Sequence, residues 1–135
     1  EVGLGLERFR RLFPVFLTDN GSEFKKVDDL EYTDDYENRT TVYYCDPMRS
    51  GQKGGIEEVH TLLRMIIPKG TVFTHLTQWD IRKCVDNINS YPREKLQGHT
   101  PYELSLKKFG PDIIRALQLK YVAPDDVTLT PKLLK

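Results

Sequence analysis

The sequence has no excess of either charge and few of the residues that usually reveal a binding site. Twenty basic and twenty acidic residues cancel over 135 residues, so net charge gives no indication of a nucleic-acid partner. Its two cysteines and three histidines are spaced neither as a disulfide framework nor as a zinc site. No apolar run is long enough to cross a membrane, and no segment resembles a signal peptide. We expect a single cytoplasmic domain with no membrane partner, in which both thiols are buried and reduced.

The alternation of apolar runs and breakers predicts an α/β domain. Helices are predicted at 4–12, 56–67, 78–90, 100–109 and 112–119, and strands at 14–18 and 41–45. Thr77 and Thr100 are expected to cap the helices that follow them. The polar and acidic segment 21–40 is predicted to be a loop, and the short run 127–129 an edge strand.

One carboxylate, Asp19, directly follows the predicted strand 14–18. Ligands gather at the carboxyl ends of strands in open α/β sheets, which makes Asp19 a candidate site residue. The same residues have a second interpretation, because Asn-Gly between apolar runs is a strong hairpin signal. The charged residues after Gly21 would make a poor return strand, but the sequence leaves both interpretations open.

A second carboxylate, Glu57, lies near the start of the predicted helix 56–67. The predicted apolar stripe of this helix consists of Ile56, Val59, Leu63 and Ile66. Glu57 would share the adjacent polar face with His60 and Arg64. Two carboxylates at the ends of separate elements could share a divalent metal ion. Alternatively, an acid in the first turn merely complements the helix dipole, and Glu58 would serve as well for that purpose.

Basic and polar residues flank the second carboxylate and suit an anionic backbone. The predicted DNA-binding residues are Lys53, His60, Arg64 and Lys69. Lysine and arginine neutralise phosphates, and the glycines at 54 and 55 would permit a close approach. Arg93 and Lys95 could extend this surface.

Taken in order, these motifs resemble the catalytic core of bacterial DDE transposases and integrases, and most of all the insertion-sequence-30 family. The resemblance is carried by segments 18–24, 39–40, 42–47, 52–57, 63–64, 68–71, 87–93, 100–103 and 131–134. It implies the C-terminal part of an RNase H-like fold, with two parallel strands and several helices. A truncated core would cover residues 1–110, and a C-terminal helix and tail would cover 111–135.

The resemblance also implies an activity, which is metal-dependent DNA cleavage followed by strand transfer. Asp19 matches the second aspartate of the family and Glu57 the glutamate, and both would help to hold two Mg²⁺ or Mn²⁺ ions. The implied partners are transposon ends, target DNA and further copies of the same chain. The implied location is the bacterial cytoplasm, in association with the nucleoid.

The chain departs from the family pattern in three respects, one of which is that Gly51 and Glu58-Val59 stand where relatives tend to have tryptophan and polar amides. The strand that carries the first aspartate and the DNA-recognition region of the family have no match in this chain, so we expect no activity from the chain alone. The chain could instead be a non-enzymatic DNA- or protein-binding module derived from a transposase. Strand 14–18 would have a bare edge, which predicts pairing with a second copy.

Overall fold

The computed structural model describes residues 4–18, 26–45 and 54–135, and the chain divides into two compact units, Glu1–Gly54 and Gly55–Lys135. The main elements are α1 (Leu6–Leu12), β1 (Val15–Thr18), α2 (Val27–Glu31), β2 (Thr41–Tyr44), α3 (Gly54–Ile66), α4 (Gln78–Asn89), α5 (Pro101–Phe109) and α6 (Pro111–Ala116), with 3-10 helices at Glu94–Leu96, Pro124–Asp126 and Pro131–Leu134. None of the helices described has both the length and the apolar composition that a membrane span requires. The predicted domain boundary after residue 110 stays a prediction.

The first unit contains a two-stranded parallel sheet, as predicted. Val15 pairs with Thr41 at one end of the ladder, and Thr18 pairs with Tyr44 at the other. The Cys45 backbone N–H continues the ladder by donating to the Thr18 carbonyl at 2.7 Å. Because the strands are parallel, their carboxyl ends lie at the same end of the sheet.

The prediction of a loop over 21–40 is wrong in part, because α2 lies within it. Polar contacts between distant residues fix this segment. Glu31 Oε1 accepts a hydrogen bond from the Val42 backbone N–H at 2.9 Å. The guanidinium of Arg39 donates from Nε to the Leu30 carbonyl at 3.0 Å. α2 is only five residues long and has no periodic apolar pattern, so hydrophobic periodicity does not predict it.

The apolar residues of the first unit form a small aromatic cluster. The rings of Phe9 and Phe13 have centroids 5.1 Å apart, and those of Phe13 and Phe16 lie 5.8 Å apart. No residue of α1 is fully buried. On β1, Val15 and Leu17 are 52% and 42% exposed, and their alternate positions put them on one face of the strand.

The second unit has the larger core, formed where the C-terminal half of α3 packs with α4. Its buried members are Leu62, Ile66, Ile67, Cys84 and Ile88. The predicted stripe on α3 is therefore wrong in its first half, since Ile56 and Val59 are exposed. The core partner Cys84 belongs to the middle of α4, and it lies against the last turns of α3 rather than the first.

Burial has an electrostatic effect on the thiol of Cys84. The desolvation of a buried thiolate raises the pKa of Cys84 above its ordinary value. Both cysteines are free thiols, with Cys84 buried and Cys45 half-buried. The expectation of buried thiols is confirmed for Cys84 and only in part for Cys45.

The predicted helix caps are confirmed in both places. The Thr77 hydroxyl accepts a hydrogen bond from the Asp80 backbone N–H, and the Asp80 carboxylate accepts from the Thr77 backbone N–H. Thr100 and Glu103 form the same reciprocal pair at the start of α5. Each pair satisfies backbone donors that would otherwise lack a partner at the helix N-terminus.

Buried polar side chains at the end of α4 hold the C-terminal segment in place. Three of them accept backbone N–H groups of this segment: Asp86 from Lys120 at 3.0 Å, Ser90 from Val122 at 3.1 Å and Asn87 from Thr128 at 2.9 Å. We call these three acceptors the α4 anchor. The predicted edge strand at 127–129 is wrong, because residue 128 bonds to a side chain and the segment forms no strand.

Candidate functional site

Glu57 lies in the first turn of α3, and its side chain is exposed. No ion pair joins its carboxylate to any residue within the described ranges. The Glu57 backbone carbonyl accepts a hydrogen bond from the Thr61 hydroxyl at 3.0 Å. Glu57 is thus available to bind a cation.

Glu58 is in a different situation. Its Oε1 lies 4.0 Å from Nη1 of Arg93, and the Arg93 side chain is only 6% exposed. The same guanidinium donates to the carbonyls of Ile88 at 2.9 Å and Tyr91 at 3.3 Å. Arg93 therefore satisfies carbonyls at the end of α4, and Glu58 supplies the compensating charge. The prediction that Arg93 extends a DNA-binding surface is wrong, because its guanidinium is buried and engaged.

The polar face predicted for α3 is exposed. His60 and Arg64 are exposed and follow Glu57 at helical spacings of three and seven residues. Lys69 is exposed in the turn that follows α3, where Gly70 adopts a φ of 91° that favours glycine. These three polar side chains are accessible to a ligand, as the sequence predicts. Whether they bind DNA stays a prediction.

Two of the predicted site residues, Asp19 and Lys53, lie outside the described residues. The proximity of Asp19 to Glu57 therefore stays a prediction. Thr18, which precedes Asp19, is buried, and its Oγ1 has no hydrogen-bond partner within the part of the chain that the structure describes. Among residues 4–18, 26–45 and 54–135, no group of three or more His, Cys, Asp or Glu side chains could hold a metal ion. The two predicted carboxylates nevertheless supply the hard oxygen ligands that magnesium prefers.

Comparison with known proteins finds transposases. The chain is 31% identical over 98 residues to the transposase for insertion sequence element IS4351 of Bacteroides fragilis, a match that covers 73% of the chain and 29% of the relative. It is 36% identical over 63 residues to the IS1086 transposase of Cupriavidus metallidurans, covering 47% of the chain and 19% of the relative. Identity to the InsI transposase of element IS30A of Escherichia coli is 35% over 63 residues, covering 47% and 16%.

The chain thus spans less than a third of the length of these curated relatives. No protein-family model and no solved structure matches it.

Proposed function

We propose that this chain, a relative of bacterial insertion-sequence transposases of the IS30 type, forms part of the DNA-cleaving core of such an enzyme. The predicted resemblance is confirmed by the matched transposases. The fold we propose is the C-terminal part of an RNase H-like core. The parallel pairing of β1 with β2, followed by a helix with a carboxylate in its first turn, supports this proposal.

In this proposal Asp19 and Glu57 each bind Mg²⁺ or Mn²⁺ through carboxylate oxygens. When bound, the ions would supply activation of the attacking oxygen and stabilisation of the leaving oxygen in phosphoryl transfer. Glu57 suits this role because its carboxylate is exposed and has no ion-pair partner among the described residues, whereas the Glu58 carboxylate lies 4.0 Å from Arg93. The residues proposed to neutralise the phosphates of transposon ends and target DNA are Lys53, His60, Arg64 and Lys69.

The observation that carries the proposal is the register of the sheet. Thr18 pairs with Tyr44 at the carboxyl end of both parallel strands, and Asp19 is the next residue in the sequence. The carboxyl ends of parallel strands are where open α/β sheets bind ligands. β1 pairs in parallel with β2, each residue with the one 26 positions further along the chain. The hairpin interpretation of Asp19-Asn20-Gly21 stays a prediction, because these residues lie outside the described ranges.

Binding of Mn²⁺ to the chain, followed by electron paramagnetic resonance, tests the metal site directly. We expect weak binding that is lost in both Asp19→Asn and Glu57→Gln. Glu94→Gln is the matched control, since it removes an exposed carboxylate from the first turn of another helical segment. Equal Mn²⁺ binding by all four proteins would refute the assignment of Asp19 and Glu57.

A cleavage assay tests the predicted inactivity of the chain alone. We expect no specific cleavage of inverted-repeat DNA in magnesium or manganese, because two carboxylates do not fix two ions well. Specific cleavage that disappears in Asp19→Ala would show this expectation to be wrong. DNA binding that persists with no Mn²⁺ binding would favour the alternative function, a non-enzymatic DNA-binding module.

A further inference from the structure

A cavity of about 510 Å³ lies in the second unit, beside α4 and α6. The residues that give it its chemical character are Trp79, Arg82, Lys83, Asp86, Arg115 and Lys120. Four of these are cations and one is a carboxylate. We call this site the Trp79 cavity. Its volume falls within the range of about 300–1,000 Å³ that is usual for small-ligand sites.

Trp79 gives the cavity an accessible aromatic surface. The residue is 58% exposed, although it stands in the first turn of a helix whose opposite side is buried. The Lys120 ammonium lies 4.9 Å from the centroid of the Trp79 ring. A lysine at this distance is attracted to the indole face, so positive charge and an aromatic ring are held at one place.

The positive charge in the Trp79 cavity is largely uncompensated. Arg82 and Lys120 form no ion pair with the acids of the described segments. Arg115 pairs with Asp112 at 3.5 Å, but both side chains are largely exposed, so water screens this pair. The Asp86 carboxylate is the one acid among the lining residues, and its Oδ1 accepts the Lys120 backbone N–H. Asp86 thereby fixes the segment that brings Lys120 to Trp79.

We propose that the Trp79 cavity binds an unpaired nucleotide of single-stranded DNA. The base would stack on Trp79, and Arg82 and Lys120 would neutralise the adjoining phosphates. Proteins that bind single strands combine these two features, an aromatic platform and a basic groove, whereas a base inside a duplex has no free face to stack. This inference rests on the proposed function, which supplies DNA as the polymer. It adds a site that is separate from the exposed surface of His60, Arg64 and Lys69, which we call the α3 face.

Helical spacing in the sequence reveals only part of this site, the part that lies on α4. Trp79, Arg82, Lys83 and Asp86 share one side of α4 because they are spaced by three or four residues. The other cations come from α6 and from the segment after it, so only the folded chain brings them to the same cavity.

The intrinsic fluorescence of the chain provides a direct test, because Trp79 is its only tryptophan. We expect a single-stranded 12-nucleotide DNA to quench the emission at low salt, and the duplex of the same sequence to bind at least about fivefold more weakly at this site. Quenching should weaken as salt rises, since phosphate binding releases counterions. Absence of quenching, or equal quenching by polyglutamate, would overturn the proposal, the latter by indicating an acidic polypeptide as the ligand.

Charge-reversal variants locate the binding through the anisotropy of a labelled single strand. Arg82→Glu with Lys120→Glu should lower the affinity about tenfold or more at low salt. Lys107→Glu with Lys132→Glu changes the net charge equally at exposed positions outside the cavity, and should lower it less than about threefold. Equal losses in the two double variants would contradict a specific site.

Removing the aromatic ring tests stacking separately from charge. Trp79→Ala should lower single-strand affinity about tenfold, whereas Trp79→Phe should retain most of it. Trp79 is exposed, so both variants should keep the circular dichroism spectrum of the unaltered chain. Unchanged affinity in a folded Trp79→Ala protein would overturn the proposal.

The α3 face and the Trp79 cavity can fail independently. If Arg64→Glu with Lys69→Glu weakens duplex binding, but the cavity variants leave single-strand binding unchanged, the cavity proposal falls and the proposed function stands. If the cavity variants weaken single-strand binding while Mn²⁺ binding is absent, the cavity is supported and the proposed metal site falls.

Discussion

The buried guanidinium of Arg93 lies 4.0 Å from the carboxylate of Glu58, and it is hydrogen-bonded to the end of α4. This contact joins the start of α3 to the C-terminus of the neighbouring helix. It also distinguishes two adjacent glutamates, because Glu58 has a structural partner and Glu57 has none in the described segments. A carboxylate that is already paired in the fold is a poor choice for binding a metal ion.

The Arg93 contacts should contribute strongly to stability. We expect Arg93→Ala to lower the free energy of unfolding by about 2–4 kcal/mol, because it removes charged hydrogen bonds in a buried place. Arg64→Ala, at an exposed position of α3, should change it by no more than about 0.5 kcal/mol. Urea denaturation of both variants measures these quantities. Similar small losses in the two variants would show that the Arg93 contacts are energetically unimportant.

The α4 anchor should control local opening of the C-terminal segment. Ser90→Ala should speed amide hydrogen exchange of Val122, and Asn87→Ala that of Thr128, each by about fivefold or more. Each variant serves as the control for the other, because each anchor residue binds a different backbone N–H. Uniform acceleration throughout the domain in both variants would instead indicate that only global stability has changed.

The capping pair at the start of α4 should make stability depend on pH. The hydrogen bond from the Thr77 backbone N–H favours ionised Asp80 and lowers its pKa in the folded state. A lowered folded-state pKa stabilises the fold above the unfolded pKa, about 4 for an aspartate, and this contribution is lost as the pH falls through the folded value. The difference in unfolding free energy between the unaltered chain and Asp80→Asn should therefore shrink as the pH falls below about 5.

Urea titrations at several pH values measure that difference. Asp125→Asn is a suitable control, since it removes an exposed carboxylate for which the structure shows no capping contact. A difference between the unaltered chain and Asp80→Asn that stays constant over this pH range would contradict the role of Asp80.

Self-association through β1 stays a prediction, and the exposure of Val15 and Leu17 supports it. Within the described part of the chain, β1 has one strand neighbour, β2. We expect a dimer or larger assembly in sedimentation at micromolar concentration, and we expect Val15→Lys with Leu17→Lys to shift it toward the 15.7 kDa monomer. Tyr36→Lys, at another exposed apolar position of the same unit, should have no such effect. A monomer at all concentrations for the unaltered chain would refute the prediction.

Local signals accounted for much of the fold. Thr77 and Thr100 cap their helices through residues three positions away, so a short stretch of sequence contains the whole interaction. The strands were also predictable, because β1 and β2 are short apolar runs bounded by polar residues. Contacts between distant residues were not: α2 depends on Glu31 and Arg39, and the tail depends on α4.

The candidate site was likewise predictable only where its residues are close together in the sequence. Helical spacing placed Glu57, His60 and Arg64 on one polar face beside the predicted core, and all three are exposed. The same spacing placed Ile56 and Val59 in the core, and they are exposed as well. It could not predict that Arg93, distant in sequence, would engage Glu58, or that Lys120 would reach Trp79. Both of these contacts are set by the packing of whole segments against α4.

The α4 anchor has a consequence for how this region can change in evolution. Its three side chains recognise main-chain N–H groups, which every residue except proline possesses. Substitutions among most residue types at 120, 122 and 128 would therefore preserve the attachment of the segment, whereas proline at any of them would remove one bond. The side chains of this segment, including Lys120 of the Trp79 cavity, can thus diversify and acquire new ligand preferences while the segment keeps its path.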